Sequence, residues 1–415
     1  MNLSEKLKTF ISQKQDRTKS EVVTPKENVH SVTSKILDAT TVNTPYGVHL
    51  MVEKTYDRSY IHGQIKLDSI FDISPEICKL IAKNVVFEGL DFSRAVFIDT
   101  ETTGLAGGTG TLAFLIGVGF FKNKDFKIIQ YFINDFNEEA AALYSLSGLL
   151  KNYDSLVSFN GKSYDIPLLS ARFMLNRMEN PVEKTFHLDL LHSARRLYKE
   201  RLESVSLSSL EENLLSIERR GDIPGYEIPS VYFRYLRDRN PYPIKPIFYH
   251  NRMDILSMVT LTASMAKTLE EPFNAKTCAS QDYYCVGKIF EDMGMIDQSI
   301  YCYKKALNAP EVRERACIQL SLLLKKLGRF NEAEKLWVTM VEKNINPVFA
   351  LIELAKYYEH RIKDYNMASK VTKKAIEEVY KRHCLTRFSK SDQLEKLRKR
   401  LNRIAEKQKK QTLSI

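Results

Sequence analysis

The stretch that decides the fold reads Ala95-Val-Phe-Ile-Asp-Thr-Glu-Thr-Thr-Gly104, an apolar run followed at once by two carboxylates. Such a run is typical of a buried strand, and alternate residues of a strand point to the same face. Asp99 and Glu101 are therefore predicted to project together from the end of this strand. Adjacent anions are stable when they share a proton or bind a cation, and oxygen ligands favour Mg²⁺ or Mn²⁺. A solvated strand end or a helix cap would explain an isolated pair equally well.

Two later segments carry further acidic residues at comparable places. The segment Asn160-Gly-Lys-Ser-Tyr-Asp165 follows a second strand-like run and opens a predicted helix. The segment Tyr249-His-Asn-Arg-Met-Asp254 leads into apolar residues at helical spacing, which predicts a buried helix with Asp254 in its first turn. These segments add two carboxylates and a histidine to the predicted site.

The series Asp-x-Glu, Asn-x-x-x-Tyr-Asp and His-x-x-x-Asp resembles the three exonuclease motifs of the DEDD group in the ribonuclease H-like superfamily. The flanking residues, 99–108, 189–197 and 219–225, are similar to the YprB-type branch found in bacteria. The likeness spans roughly residues 60–265. It implies an α/β ribonuclease H-like domain, in which a mixed sheet is flanked by helices.

Phosphoryl-transfer chemistry and this resemblance together suggest roles for the motif residues. Two divalent ions, Mg²⁺ or Mn²⁺, would be held by the four carboxylates Asp99, Glu101, Asp165 and Asp254. An imidazole with a pKa near 6.5 suits removal of a proton from the attacking water, so His250 is the candidate base.

One feature departs from the wider DEDD pattern, in which a Tyr lies four residues before the last Asp or a His lies five before it. This chain has His250 at minus four and Tyr249 at minus five. Neighbouring helical residues point about 100° apart, so only one of the two can face the metals. We expect His250 there, because the YprB branch carries its histidine at that offset. Tyr249 is the fallback, or an apolar anchor.

Polar residues beside the motifs are candidates for binding substrate. They are Thr102, Thr103 and Gly104 for a terminal nucleotide, and Asn160 and Lys162 for phosphate. Turn formation and capping explain the same residues equally well. Asp189 ends a short strand before a helix, which predicts an N-cap or a residue that supports the metal ligands.

The first 268 residues divide by composition. Residues 1–45 are interpreted as a flexible polar leader, 46–90 as a small accessory β-containing segment or edge ribbon, and 91–268 as the exonuclease domain. The glycine-rich run 104–110 predicts a hairpin turn. An insertion at 201–248, rich in proline and aromatic residues, is either a lid that stacks unpaired bases or packing over the sheet.

Beyond residue 280, small residues recur at intervals of 34 or 35. The recurring positions are Gly294 and Gly328; Ser299, Ala333 and Ala368; and Ala306, Met340 and Ala375. This recurrence resembles tetratricopeptide repeats and predicts an all-α repeat domain over residues 280–382. Its use is either to dock a protein partner or to buttress the nuclease.

The C-terminal segment 383–415 is predicted to be a basic helical tail. Residues 381–415 contain 12 Lys or Arg against 3 Asp or Glu, which is +9 of the net charge of +11. Four apolar residues recur there at helical spacing: Leu394, Leu397, Leu401 and Ile404. The tail either binds phosphates without sequence preference or packs its leucines on the last repeat.

Composition excludes several classes of protein. The 415 residues are 44% hydrophobic, enough for a substantial core, yet no run of 18 apolar residues predicts a membrane span. The charged N-terminus lacks a signal-peptide core, so we expect a soluble cytoplasmic protein that does not associate with membranes. Six cysteines without a Cys-x-x-Cys pair predict free thiols.

These features together predict a two-metal-ion exonuclease joined to helical repeats. The resemblance implies 3′ to 5′ polarity and repair of DNA alongside a helicase, with single-stranded DNA favoured over RNA. Ribonuclease H and junction resolvases place the second carboxylate on a distant helix, so Asp-x-Glu on one strand favours an exonuclease. Two alternatives stay open: a catalytically silent adaptor that binds nucleic acid or protein, and a structure-selective endonuclease. The intact set of four carboxylates argues against the first.

Overall fold

The computed structural model describes residues 27–104, 110–184, 186–270, 279–381 and 387–413. The chain forms two compact units, one extending to Thr277 and the other beginning at Cys278. The first unit combines a sheet with helices, and the second is helical. This is the α/β plus all-α architecture that the sequence predicts.

Within its described residues, the first unit contains a seven-stranded sheet and a separate two-stranded ribbon. The strands are β1 (Thr40–Thr44), β2 (Gly47–Tyr56), β3 (Ile61–His62), β4 (Ile65–Lys66), β5 (Ala95–Thr102), β6 (Ala113–Lys122), β7 (Asp125–Phe132), β8 (Ser155–Ser158) and β9 (Phe186–Asp189). The order across the sheet is β1-β2-β7-β6-β5-β8-β9, and β3 pairs with β4. Strands β5, β8 and β9 run parallel, and the other neighbours in the sheet are antiparallel.

The helices of the first unit lie between and around these strands. They are α1 (Glu27–Leu37), α2 (Pro75–Ala82), α3 (Glu139–Leu150), α4 (Asp165–Leu175), α5 (Leu190–Tyr198), α6 (Leu207–Leu210), α7 (Ile228–Asp238) and α8 (Lys245–Glu270). A π-helical turn, Glu211–Leu215, continues α6. Short 3₁₀ turns are Leu67–Asp72, Val85–Gly89, Phe92–Arg94, Phe136–Glu138, Gly225–Glu227 and Tyr242–Ile244.

The centre of the sheet is buried on both faces, and this brings α8 close to it. Strand β6 is buried at nine consecutive positions from Ala113. Its two glycines admit α8, since a Cβ at Gly117 would lie 2.0 Å from Asn251 Oδ1 and a Cβ at Gly119 would lie 2.4 Å from Ile255. These close approaches place the first half of α8 beside β5 and β6.

Parallel pairing brings the ends of three strands to one edge of the sheet. Ala95 pairs with Ser155, and Ser158 pairs with Asp189. The carboxyl ends of parallel strands lie at the same edge, which is where open α/β sheets bind ligands. The loop after β8, the end of β5 and the start of α5 therefore meet there.

The second unit consists of successive helices packed on one another. They are α9 (Asp282–Asp292), α10 (Ile296–Ala306), α11 (Pro310–Lys326), α12 (Phe330–Glu342), α13 (Pro347–Tyr357), α14 (Tyr365–Lys381) and α15 (Arg387–Leu413). A π-helical turn, Tyr358–Ile362, continues α13. The recurring small residues are fully buried: Ser299, Ala306, Ala333, Met340, Ala368 and Ala375. Gly294 and Gly328 both have positive φ angles in the turns that follow α9 and α11.

The prediction of a flexible leader up to residue 45 is wrong for residues 27–45, which form α1 and β1. Thr33 Oγ1 lies 3.0 Å from the Tyr235 hydroxyl, and His30 Nε2 lies 3.0 Å from Glu138 Oε1. Both partners are more than 100 positions away in the sequence, so the local composition of residues 27–45 does not predict these contacts. Residues 1–26 lie outside the described part of the chain.

The segment that begins at residue 46 belongs in part to the main sheet. Strand β2 pairs with β7 from Leu50 to Tyr56, and β1 pairs with β2 at the sheet edge. The edge-ribbon interpretation therefore describes β1 and β2, while the alternative of a separate accessory layer is wrong for them. The run predicted as a hairpin turn, 104–110, has residues 105–109 outside the described part of the chain.

The proline-rich insertion packs over the sheet. The Tyr232 ring stacks on Phe114 with ring centroids 3.9 Å apart, and its hydroxyl donates to the Ile133 carbonyl at 2.8 Å. Tyr235 and Phe248 are buried as well. The interpretation as a base-stacking lid is therefore wrong for these three buried rings, whereas Tyr226 and Tyr242 of the same insertion are exposed.

The terminal helix α15 also packs inward. Leu394, Leu397 and Ile404 are buried, as the packing interpretation of the tail requires. No helix in the described residues is both long and apolar enough to cross a membrane. Among the six cysteines, Cys278 and Cys384 lie outside the described residues, Cys78 and Cys317 are buried free thiols, and Cys285 and Cys302 are buried.

Candidate active site

The site begins at the end of β5, where Asp99 and Glu101 lie on one face of the strand. The Asn251 side chain of α8 donates from Nδ2 to Asp99 Oδ2 at 2.8 Å and to the Asp99 carbonyl at 3.1 Å. The amide of Gln130 in β7 donates to Asn251 Oδ1 at 2.8 Å and so sets its orientation. Asp99 is thus held in place by two buried amides.

Asp165 reaches the same place from the start of α4. Its Oδ1 accepts hydrogen bonds from the Thr100 backbone amide at 3.1 Å and the Thr100 hydroxyl at 2.5 Å. Thr100 is the residue between the two carboxylates of β5. The motif on β5 therefore positions the third carboxylate as well as supplying the first two.

Asp189 holds the loop that leads to α4. Its carboxylate accepts from the backbone amides of Asn160 at 2.8 Å and Lys162 at 3.0 Å, and from that of Leu191 at 3.1 Å. Asp189 is therefore an N-cap of α5 and also a support for the Asp165 loop. The sequence left these two roles as alternatives, and the structure combines them.

Helix α8 supplies His250 and Asp254 one turn apart. His250 Nε2 lies 3.7 Å from Asp254 Oδ2, and its Nδ1 lies 2.9 Å from Asp222 Oδ2. The Tyr249 ring lies elsewhere, with the Arg252 guanidinium 5.8 Å from its centroid. The structure thus places His250, and not Tyr249, beside the carboxylates.

Arg219 connects this group to a second set of acids. Its Nη2 contacts Asp254 Oδ1, its Nε donates to Glu211 Oε2 at 2.7 Å, and its Nη1 donates to Asp222 Oδ2 at 3.1 Å. The Ser257 hydroxyl also contacts Glu211. One guanidinium thus binds three carboxylates, one of which is a predicted metal ligand.

The sequence-based prediction missed four of these residues: Asn251, Glu211, Arg219 and Asp222. Arg219 and Asp222 lie in segment 219–225, which is similar to the YprB branch. The sequence shows this similarity but gives neither residue a role. Asn251 follows His250 directly, yet an amide has no motif signature. Nothing in the sequence around Glu211 marks it, because its partners lie 8 to 46 positions away.

The carboxyl groups of the site carry an excess of buried negative charge. Burial, with the charges of Asp254, Glu101 and Asp165, raises the pKa of Asp99 well above its usual value. Burial is also the main cause that raises the pKa of Glu101 to about 8 and that of Asp165 to about 6. The protein therefore holds these groups in a place that favours either a proton or a cation.

His250 carries part of the compensating charge. Burial alone would lower its pKa, but the hydrogen bond to Asp222 and the charges of Asp254 and Glu101 raise it to about 9. The imidazole is therefore protonated at neutral pH in this arrangement. Burial would raise the pKa of Asp222, and the hydrogen bond and charge of His250 lower it instead.

Divalent ions suit this set of donors in charge and chemistry. Carboxylate oxygens are the preferred ligands of Mg²⁺ and Mn²⁺. Yet no group of three or more His, Cys, Asp or Glu side chains among the described residues stands in a metal-binding arrangement. In the structure, Asn251 binds Asp99, Thr100 binds Asp165 and Arg219 binds Asp254. A cation would have to take Asp254 from Arg219.

The predicted substrate contacts differ in accessibility. The Thr102 hydroxyl donates to the Gly104 carbonyl at 2.8 Å, and the buried Thr103 hydroxyl accepts from the Leu112 amide at 3.0 Å. Both hydroxyl groups therefore bond to nearby backbone groups, as the alternative interpretation expects. The Asn160 side chain is half-buried, and Lys162 is exposed at the edge of the site.

Comparisons with known proteins identify the family of the chain. A model of the ribonuclease H superfamily matches residues 96–266, which include the four carboxylates and His250. The uncharacterized protein YprB of Bacillus subtilis (strain 168) is 32% identical over 367 residues, which cover 86% of each chain. The chain belongs to the YprB family of the ribonuclease H superfamily. Membership of this superfamily supports a nuclease-type function and binding of nucleic acid.

The YprB relationship extends beyond the ribonuclease H domain. An alignment of 367 residues is longer than the first unit, which ends at Thr277. YprB therefore shares sequence with the helical second unit as well. Nucleases of the ribonuclease H superfamily generally use divalent metals, which matches the donor chemistry of the site.

Proposed function

We propose that this member of the YprB family is a divalent-metal-dependent exonuclease that hydrolyses phosphodiester bonds, with single-stranded DNA as its favoured substrate. The observation that carries the proposal is the convergence of Asp99, Glu101, Asp165 and Asp254 with His250 at one edge of the sheet. The raised pKa values of three of these carboxyls support a site built to receive cations. Polarity from 3′ to 5′ follows the resemblance to DEDD exonucleases.

Two Mg²⁺ or Mn²⁺ ions are the cofactors in this proposal, held by the four carboxylates. When bound, such ions lower the pKa of water and neutralise charge on the phosphate. The chain's own contribution is to hold the ligands still. Asn251 fixes Asp99, Thr100 fixes Asp165, and Asp189 fixes the loop that carries Asp165.

His250 is the proposed base, and Asp222 orients it. The contact from Asp222 to Nδ1 leaves Nε2 on the side of the carboxylates. That nitrogen is the atom that would take the proton from the attacking water. A base needs a fixed ring and an unprotonated nitrogen at the reacting side. Asp222 fixes the ring, and cations bound by Asp254 and Glu101 would offset the charges that raise the pKa of His250, which would free Nε2 of its proton.

Substrate binding is assigned to the residues at the rim of the site. Lys162 and Asn160 would meet a phosphate, while Thr102, Thr103 and Gly104 would approach the terminal nucleotide through the turn they form. The exposed ammonium group of Lys162 is the contact that the structure supports best.

The second unit is proposed to be a short tetratricopeptide-like array. The buried small residues at equivalent places in successive helix pairs support this interpretation. Such an array would dock a protein partner, and a helicase that supplies single strands during DNA repair in the cytoplasm is the partner we infer.

A nuclease assay tests the proposal. The full chain is incubated with a 5′-labelled single-stranded DNA oligonucleotide and Mg²⁺, Mn²⁺ or EDTA, beside the double variant Asp99→Ala, Glu101→Ala. We expect a metal-dependent ladder that shortens from the 3′ end and is absent in the variant. The double variant Asp72→Ala, Glu76→Ala is a matched control, because it removes two exposed carboxylates away from the site.

Three outcomes would redirect the assignment. Loss of activity in the matched control would show that the effect is one of net charge. Cleavage of a circular single-stranded DNA would favour the structure-selective endonuclease. No product from DNA, with none from a matched RNA, would favour the silent adaptor, in which Arg219 keeps Asp254 permanently.

A further inference from the structure

The second unit contains a basic cavity of about 540 Å³. Its volume lies within the usual range of ligand pockets, about 300–1,000 Å³. Six cationic side chains line it: Lys325, Lys326, Lys356, Arg361, Arg400 and Arg403. They come from α11, from α13 with its π turn, and from α15, so three parts of the chain bring positive charge to one place.

The positive charge of this basic cavity exceeds what its carboxylates neutralise. Glu353 contacts Lys356 and accepts from Lys325 at 2.6 Å. Glu359, whose side chain is fully buried behind the wall, accepts from Arg400 at 2.6 Å and from Arg403 at 2.8 Å. Lys407 also contacts Glu359, so two carboxylates face seven cations.

Two of the lining cations have no acidic partner among the described residues. Lys326 and Arg361 are exposed, and neither forms an ion pair there. The Arg361 guanidinium lies 4.4 Å from the centroid of the Phe330 ring, and Phe330 stacks on Tyr357 with ring centroids 6.1 Å apart. Basic groups beside aromatic rings are the combination that binds single-stranded nucleic acids.

The ionisable groups of the cavity respond to this surplus. Burial would raise the pKa of Glu359, but hydrogen bonds from Arg403 and Lys407 lower it to about 2. Burial and the charges of Lys407, Arg400 and Arg403 lower the pKa of His360. If these charged residues only fixed α15 to the other helices through ion pairs, carboxylates and cations would be about equal in number. The surplus indicates a site for an anion.

We propose that the basic cavity binds the backbone phosphates of a single-stranded nucleic acid. This inference rests on the proposed function for its choice of ligand, because a nuclease meets phosphodiesters as its substrate. Several cations spread around about 540 Å³ also suit a chain of phosphates better than one phosphate group. The residues of the basic cavity all belong to the second unit and are different from those of the proposed nuclease site.

Binding of a fluorescein-labelled dT20 oligonucleotide by the full chain tests the proposal, measured by anisotropy in EDTA so that no cleavage occurs. The double variant Lys326→Ala, Arg361→Ala removes the two cations without an acidic partner. We expect its Kd to rise about tenfold. The slope of log K against log salt should fall by about 1.4, because each phosphate contact on a single strand contributes about 0.7.

Matched variants separate a local effect from net charge and from misfolding. Lys373→Ala, Lys374→Ala removes two exposed lysines of α14 that form no ion pair in the described structure, and its Kd and salt slope should stay close to those of the natural chain. Lys326→Arg, Arg361→Lys keeps both charges and should restore binding. Equal weakening in the α14 variant would overturn the proposal.

Other outcomes also decide against it. Unchanged Kd and salt slope in Lys326→Ala, Arg361→Ala would overturn it, as would failure of the natural chain to bind dT20. The basic cavity could also bind free inorganic phosphate in place of the phosphates of a nucleic acid. Calorimetric titration of both proteins with inorganic phosphate distinguishes these two ligands. If the variant loses phosphate binding but keeps dT20 binding, the basic cavity serves free phosphate.

The two proposals fail in different experiments. A chain that degrades DNA, yet binds dT20 equally well without Lys326 and Arg361, keeps its nuclease function and loses this inference. A chain that binds dT20 through the basic cavity but forms no products keeps the inference and loses the proposed activity.

Discussion

The acidic site of the first unit and the basic cavity of the second unit handle buried carboxylates in opposite ways. At the site, burial and neighbouring anions raise the pKa of Glu101 to about 8. Behind the wall of the cavity, the Glu359 side chain is also shielded from solvent, but hydrogen bonds from Arg403 and Lys407 lower its pKa to about 2. The charge of His250 offsets only part of the rise at Glu101, whereas several cations contact Glu359.

This difference shows that a buried acid does not define a site by itself. What matters is the sign of the charge that remains after the internal partners are counted. At the acidic site, Arg219 and His250 cannot neutralise all the surrounding acids, so a cation fits. In the basic cavity, Glu353 and Glu359 cannot neutralise seven cations, so a phosphate fits.

The largest effect is expected for His250. His250→Ala should lower turnover by roughly 10²- to 10⁴-fold, the usual contribution of a general base, while binding of Mn²⁺ survives. Tyr249→Phe is the matched control, since its ring lies by Arg252 and away from the carboxylates. Single-turnover rates on single-stranded DNA measure both. A larger loss in Tyr249→Phe would mean that the wrong neighbour is assigned.

The next effect concerns the guanidinium at the acidic site. Arg219→Ala leaves Glu211 buried without its cation, which typically costs about 3–5 kcal/mol in the free energy of unfolding. Its neighbour gives a control, because Arg220 is largely exposed and pairs with an exposed Glu218, so Arg220→Ala should change stability by at most about 0.5 kcal/mol.

Urea titrations of both variants provide the measurement. Mn²⁺ should restore part of the stability of Arg219→Ala, since the ion then neutralises Asp254. Equal stabilities for the two variants would contradict the role given to Arg219.

A smaller effect appears in the pH dependence of stability without metal. Between about pH 4.5 and 8, Glu101 ionises in the unfolded chain but keeps its proton in the folded one, so stability falls as pH rises. His250 acts in the same direction, because the stability from its raised pKa is full below 6.5 and is lost as pH rises through about 9. One pKa unit corresponds to about 1.4 kcal/mol, so the total is of the order of a few kcal/mol.

Glu101→Gln should flatten this decline, since Gln does not ionise. Melting temperatures in EDTA from pH 4.5 to 9 measure it. An equally steep decline in the variant would show that Glu101 does not carry excess charge.

The smallest effect is expected for Glu359, beside the basic cavity of the second unit. Glu359→Gln should lower stability by about 1–3 kcal/mol, through the loss of charge-assisted hydrogen bonds from Arg400, Arg403 and Lys407. The pKa of Glu359 is lowered, so its contribution is full above about pH 4.5 and is lost as pH falls through about 2. Acid titrations of both proteins measure this, and a constant difference down to pH 2 would contradict it.

Glu359→Gln also tests whether the net positive charge of the basic cavity determines its binding of dT20. Removing a carboxylate from beside the basic cavity increases its positive surplus, so dT20 should bind more tightly to Glu359→Gln. Weaker binding by a folded variant would contradict the charge argument.

Local pattern was sufficient to predict the secondary-structure elements that carry the motifs, whereas the choice of the motif residues depended on the resemblance to a known family. The apolar run before Asp99 predicted β5, and alternation along a strand placed Glu101 beside it. The helical spacing after Asp254 predicted α8, but the prediction that Asp254 lies in the first turn is wrong, because the helix begins at Lys245 and Asp254 lies in its third turn. The α/β class and the all-α second unit are confirmed, because each depends on periodicity that a short window contains.

Pairings between distant residues could not be predicted. Arg219 meets Asp254 across 35 positions, and Arg403 meets Glu359 across 44. The alternation of a strand or helix says which face a side chain takes, but not which distant group it meets there. For the same reason, the sequence did not predict α1 and β1, because their stability depends on partners such as Tyr235 and strand β2.

The central claim is that buried carboxylates with excess negative charge form a site for divalent cations. Binding of Mn²⁺ to the full chain at pH 8, followed by electron paramagnetic resonance of the free ion, tests it most directly. We expect two bound ions per chain, none at the site in Asp99→Asn, Glu101→Gln, and two in the control Asp72→Asn, Glu76→Gln. Equal binding by all three proteins would contradict the account.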